Sequence, residues 1–212
     1  MEEGLLVARD VTAVGTGTLD VRDNATVSLD IGTERMAVSD LAISAFGRID
    51  VGFGGLRLSG GAGGSASLRE WLLAGRGAGD WRGYGITSSA VTDLRGSAVG
   101  HRVFGDGSAS VAWAAFGDSN LDGRINSSDI NMILGAGKFG RVGSDAGWWQ
   151  GDYNYDGRVN SQDLNLLLST GVFNNGSYFT RVPSGPGTGI AGISLRKALW
   201  ASYGQDSPRE DG

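Results

Sequence analysis

Five oxygen-bearing side chains and one glycine recur in this chain at a fixed spacing. In GDSNLDGRINSSD (117–129), Asp118, Asn120, Asp122, Gly123, Arg124, Asn126 and Asp129 stand at positions 1, 3, 5, 6, 7, 9 and 12, counting from Asp118. In GDYNYDGRVNSQD (151–163), Asp152, Asn154, Asp156, Gly157, Arg158, Asn160 and Asp163 stand at the same positions, 34 residues further on. Carboxylate and amide oxygens at alternate positions of a tightly turned loop point at one centre. A hard divalent cation such as calcium, which takes six to eight oxygen ligands, is the chemistry they suit. Glycine at position 6 permits a bend that a side chain would block. Arg124 and Arg158 would contribute only backbone carbonyls, leaving their charges outside. Asn126 and Asn160 would act directly or through water.

The spacing is that of an EF-hand calcium loop except at position 12, where both loops carry Asp in place of the usual Glu. The shorter carboxylate needs the next helix to bring it closer. A single match has an ordinary turn as its alternative, but two in tandem, each before the same helix pattern, leave that alternative little weight. SSDINMIL (127–134) and SQDLNLLL (161–168) align residue for residue. Ile130, Ile133 and Leu134 match Leu164, Leu167 and Leu168 at i, i+3, i+4 spacing, which predicts two apolar faces packed on each other. Ile125 and Val159 are expected to pair across the loops in a short antiparallel bridge. Before Asp118 stands VAWAAFG, a strand pattern; before Asp152 stands SDAGWWQG, at most one helical turn. These are loop–helix units, whereas a calcium sensor has a helix on both sides of each loop. A sensor's Met-rich groove also lacks its parts, since Met132 is the sole methionine nearby.

The pair GDSNLDGRINSSDINMIL and GDYNYDGRVNSQDLNLLL resembles a type I dockerin domain, over about residues 117–173. The resemblance implies two bound calcium ions and docking onto a cohesin-like domain of a scaffold protein. It places the partner contacts at loop positions 10 and 11, here Ser127 and Ser128, and Ser161 and Gln162. The near-symmetry implies that either helix can face the partner. Residues 40–116 are also similar to regions of large secreted bacterial proteins, in the stretches LAISAFGRIDVGFGGLRL, LREWLLAG and the W-x-G-x-G-I-T-S-S pattern of 81–89. That likeness implies a secreted or cell-surface context.

The elements that must carry these loops are short. Gly is 38 of 212 residues against an average of about 7 %, with only 3 Pro and 40 % hydrophobic residues, which predicts many turns between short strands. LLVAR (5–9), TLDVR (18–22), TVSLD (26–30), DLAIS (40–44), RIDVG (48–52) and LRL (56–58) fit strands, punctuated by Asn24, Gly32, Gly47 and Gly54-Gly55. Their spacing suits a sandwich, a barrel or stacked solenoid rungs. SLREWLLAG (67–75) reads as a helix with a Ser67–Glu70 capping box, Leu68, Trp71 and Leu72 on one face, and Gly75 as its stop. The expected fold is mixed, α+β. It has a Gly-rich all-β region over 1–60, a Gly/Ser-rich connection with one helix over 61–110, a small α-helical dockerin-like module over 111–175, and a linker and tail over 176–212 with a short helix around SLRKALWAS. About 60 residues of such strands make a small core, which suggests the cap of a longer β-array.

The remaining features narrow the function. The net charge is −5 with basic and acidic residues interspersed, so no basic stripe offers a nucleic-acid surface. The start MEEGLLVARD is acidic, unlike a signal peptide, and no apolar run is long enough for a membrane-spanning helix. His101 is the single histidine and Cys is absent, so a Ser-His-Asp triad would have to use His101 and a two-histidine zinc site cannot form. The paired carboxylates carry calcium spacing in preference to glycosidase geometry. Trp148 and Trp149 suit a carbohydrate-stacking surface, but covering a small core is the favoured role. The expectation is a non-catalytic calcium-binding module for docking or surface assembly. A calcium-stapled structural domain is the alternative, and a fragment of a carbohydrate-active enzyme the third.

Overall fold

The computed structural model describes residues 4–10, 17–60, 65–92, 96–143 and 145–181. The tail over 182–212, with its expected helix, lies outside the described residues. The first half is built from strands β1 (Gly4–Ala8), β2 (Thr18–Val21), β3 (Ala25–Leu29), β4 (Arg35–Val38), β5 (Asp40–Ile43), β6 (Arg48–Asp50) and β7 (Gly55–Leu58). Successive turns of chain lie on one another in parallel register. Leu6 sits beside Val27 and Val27 beside Ile49; Leu19 sits beside Leu41; Met36 sits beside Leu56 and Val38 beside Leu58. Aliphatic residues are thus aligned in vertical stacks, and Val27, Ile49, Met36, Leu41, Leu56 and Leu58 are buried. Period-two alternation supplies one inward residue at every second position, and the parallel stacking lines those residues up.

Helix α1 (Ser65–Arg76) is inserted after β7, and β8 (Gly85–Thr87) then rejoins the first sheet, whose order is β1-β3-β6-β8. Leu68 and Leu72 are fully buried, while Trp71 donates its indole N–H to the carbonyl of Ile43 at 3.2 Å. The helix begins before Ser67, so that residue is not the expected N-cap. Gly75 serves close packing: a Cβ there would stand 1.8 Å from the carbonyl oxygen of Ile86 in β8. The left-handed residue after the helix is Gly77, at φ +53°.

The antiparallel pair β9 (Ser97–Val103) and β10 (Ala109–Ala115) joins β7 to complete a second sheet, β4-β7-β10-β9; β2 and β5 form a third. Every residue of β10 is buried. The seven strands before α1 include one that alternation does not separate, β4. It is parted from β5 by Ser39 alone, so ERMAVSDLAIS reads as one run although the chain turns a corner within it.

The two loops follow β10, with helices α2 (Ser127–Ala136) and α3 (Ser161–Ser169) after them. The architecture is mixed α/β, compatible with α+β. One contiguous core runs from the parallel strands through Trp113 to Trp148, Tyr153 and Tyr178. Among the described residues no helix is long and apolar enough to cross a membrane.

Candidate metal centres

The two loops adopt the same backbone. Leu121 and Tyr155 at position 4 are left-handed at φ +62° and +63°, and Gly123 and Gly157 at position 6 lie at +84° and +81°. Asn126 and Asn160 are extended, with φ and ψ of −150° and −168° in one and −148° and −167° in the other. A left-handed leucine or tyrosine is strained. Burial of both side chains in the core holds them there.

The hydrogen bonds repeat as well. Asp118 accepts from the N–H of Asp122 at 3.1 Å and of Gly123 at 2.9 Å; Asp152 accepts from Asp156 at 3.0 Å and Gly157 at 2.9 Å. Asp129 accepts from Ser119, Asn120 and Asn126, and Asp163 from Tyr153, Asn154 and Asn160. The shorter position-12 side chain therefore gathers both ends of its own loop. Asn126 and Asn160 cap α2 and α3, each accepting from the N–H two residues on. Asn120 and Asn154 each donate to the position-5 carboxylates of Asp122 and Asp156 at 3.0 Å.

Asp118, Asp129, Asp152 and Asp163 are almost completely buried, while Asp122 and Asp156 are exposed. Burial, partly opposed by the Tyr178 and Gly123 hydrogen bonds, pushes the Asp118 carboxyl up to about 7; Asp152 is pushed to about 7 by burial, partly opposed by Gly157. Burial raises Asp129 and Asp163 also. Such acids are relieved by a proton or by a cation. Among the described residues no three acidic, His or Cys side chains close on one point tightly enough to hold a metal ion. A calcium ion would need Asn120 or Asn154 and backbone carbonyls in its shell. With oxygen donors throughout and four acids whose carboxyls burial pushes up, the donor chemistry fits that ion. Arg124 and Arg158 are exposed, as are Ser127, Ser128, Ser161 and Gln162.

Packing between the units is exchanged. The two helices do not bury their i, i+3, i+4 faces on each other: Ile133 and Leu167 are buried, but Leu134 and Leu168 are each 68 % exposed. Leu167 of the second unit packs at Gly117 of the first, and Ile133 of the first at Gly151 of the second. Ile125 and Val159 do not pair with each other either. Ile125 bridges in parallel to Phe173 and Val159 to Phe139, with Asn174 donating to Ile125 at 2.7 Å and Gly140 to Val159 at 2.8 Å. Phe139 and Phe173 are themselves one repeat apart. The segment leaving each helix thus closes the other unit's loop.

Several contributors are invisible to loop spacing. Tyr178 donates to Asp118 Oδ2 at 2.6 Å, and Trp148 donates to the Asp118 carbonyl at 2.7 Å. Arg35 of β4 donates to the Leu121 carbonyl and to Ser110. Arg69 of α1 lies 3.9 Å from Asp152 and donates to the Ala146 carbonyl at 3.3 Å. Trp148 is fully buried against Tyr153, as expected of a core cover, whereas Trp149 is only half-buried. Repetition of Gly137 and Phe139 in Gly171 and Phe173 was the available sequence signal for the exchanged bridges. No family model, no curated protein and no solved structure matches this chain.

Proposed function

We propose that this chain is a non-catalytic calcium-binding protein of dockerin type, binding two ions, in which the calcium module is joined to a β-solenoid-like region. Its setting is secreted or cell-surface, and its role is docking onto a cohesin-like domain. The observation that carries the metal reading is the equivalence of the two loops: the same angles, the same hydrogen bonds and the same two buried aspartates in each. Calcium would neutralise carboxylates that burial otherwise drives towards protonation, so binding is coupled to folding. The stacked parallel register of β1 to β7 supports the solenoid-like description.

Docking is favoured by two equivalent exposed faces. Ser127, Ser128 and Leu134 on one correspond to Ser161, Gln162 and Leu168 on the other. The second reading, a calcium staple without a partner, draws on the shared core, in which Trp148 and Tyr178 tie the first loop to the rest of the chain. A calorimetric calcium titration of the full chain, with melting in calcium and in chelator, tests the metal. Two-site binding and a higher melting temperature are expected, both abolished by Asp122→Ala with Asp156→Ala; no heat and no shift would overturn it. A binding assay against a panel of cohesin domains separates docking from stapling. Capture that survives charged, bulky replacements at Ser127, Ser128, Ser161 and Gln162 removes those positions from the interface.

A further inference from the structure

A cleft of about 540 Å³ opens between α1, the end of β9 and the 3-10 turn Trp148–Gln150. His101 lies at its floor and is 6 % exposed. Its tautomer follows from its neighbour. The Tyr155 hydroxyl donates its proton to the Val99 carbonyl at 2.5 Å, so at 3.1 Å it must accept from His101 Nδ1. Nε2 is then a bare lone pair, with no hydrogen-bond partner among the described residues. Gly147 keeps the approach to it open: a Cβ at 147 would stand 3.0 Å from Nε2.

The rim is aromatic and donor-rich. Trp149 is half-buried, stacks on no other ring, and its indole N–H has no partner among the described residues. Phe104 is 39 % exposed, with the Arg102 guanidinium over one face of its ring at 4.7 Å. Gln150 spends its oxygen on the Gly147 N–H at 3.0 Å, leaving its amide N–H groups to face a ligand. Of the residues lining the cleft, Arg69 and Asp145 carry the charges, opposite in sign and 3.7 Å apart, so the lining itself favours neither anion nor cation.

We propose that this cleft binds a neutral, hydroxyl-rich ring: one or two units of a short saccharide. A hydroxyl both donates and accepts, so one ligand can donate to His101 Nε2 and accept from Gln150 and Trp149. The C–H face of a sugar ring covers an indole well, while its hydroxyl edge needs the polar groups. Burial holds the imidazole pKa down to about 4, keeping Nε2 an acceptor at neutral pH.

Intrinsic tryptophan fluorescence and calorimetry of the full chain, with neutral gluco-, xylo- and manno-hexasaccharides and a neutral hexapeptide, test this. At least one saccharide should bind saturably, with Trp149→Ala and Gly147→Ala each weakening it about ten-fold or more. Gly147 is extended at φ −111° and ψ 175°, so alanine adopts its backbone while its methyl obstructs Nε2. Trp149→Ala, at a half-buried site, acts without touching the floor. The proposal is overturned by no saturable response to any saccharide up to about 10 mM, a range where weak single-site ligands still register. Binding unchanged in both variants, or binding of the peptide alone, overturns it equally.

Discussion

Ser119 and Tyr153 occupy the same position in successive loops, and their hydroxyls meet at 2.7 Å in the buried interior. Residues 34 apart in the chain hydrogen-bond to their own counterparts, which places the pseudo-symmetry axis of the two units at this contact. Tyr153→Phe leaves the Ser119 hydroxyl buried and unpaired, which costs about 1–3 kcal/mol. The double variant Ser119→Ala, Tyr153→Phe should recover part of the loss. Urea unfolding of the four proteins measures the coupling; additive losses would show that the contact contributes nothing of its own.

Glycine variants should separate by environment. Gly117 lies at φ +103°, and a Cβ there meets Leu167 at 2.6 Å; Gly117→Ala should therefore destabilise by about 2–4 kcal/mol, combining overpacking with left-handed strain. Gly135, inside α2 with open space around it, should respond oppositely: Gly135→Ala should stabilise by about 0.5–1 kcal/mol. Thermal or urea denaturation of both variants reads the signs directly.

His101 should make the protein acid-labile. Its folded pKa, near 4, lies below its unfolded value of about 6.5, so the unfolded chain takes the proton first. Its contribution is fully present above pH 6.5 and is lost as pH falls from there towards 4, by an order of 3 kcal/mol in all. Other groups titrate over the same range. The stability difference between wild type and His101→Gln, followed from pH 7.5 to 4.5, isolates the histidine: it should shrink as pH falls.

Arg69 should matter most without calcium. The Asp152 carboxylate is wholly buried, and the guanidinium 3.9 Å away is the cation paired with it. Arg69→Gln should destabilise the chelated protein by about 1–3 kcal/mol. If calcium binds the second loop, the ion takes over that neutralisation and the loss should be smaller with calcium present. Melting curves in chelator and in calcium compare the two; equal losses in both would count against an ion at that loop.

Most of the strands were legible because alternation reports a half-buried face. β4, β8 and β9 were not: a corner at Ser39 leaves no punctuation between β4 and β5, and β8 and β9, expected as part of a Gly/Ser-rich connection, are buried along successive residues and so show no alternation. The loops were legible position by position, since turn geometry and capping act over a few residues. Asn126 and Asn160 show the limit of that: spacing alone makes them ligand candidates, and the fold also uses them as helix caps.

Which surfaces those loops and helices present was a different matter. Ile133 and Leu134 are both apolar and adjacent in sequence, yet one is buried and the other 68 % exposed. Helical periodicity marks a stripe but does not say which part of it finds a partner. Local interactions within a dozen residues determined that two acidic loops form, each ending in a capped helix. The exchange of Leu167 onto Gly117 and Phe173 onto Ile125, the support of Asp118 by Tyr178, and the pairing of His101 with Tyr155 depend on residues distant in sequence. Long-range packing chose them, because burying one contiguous core requires each unit to complete the other.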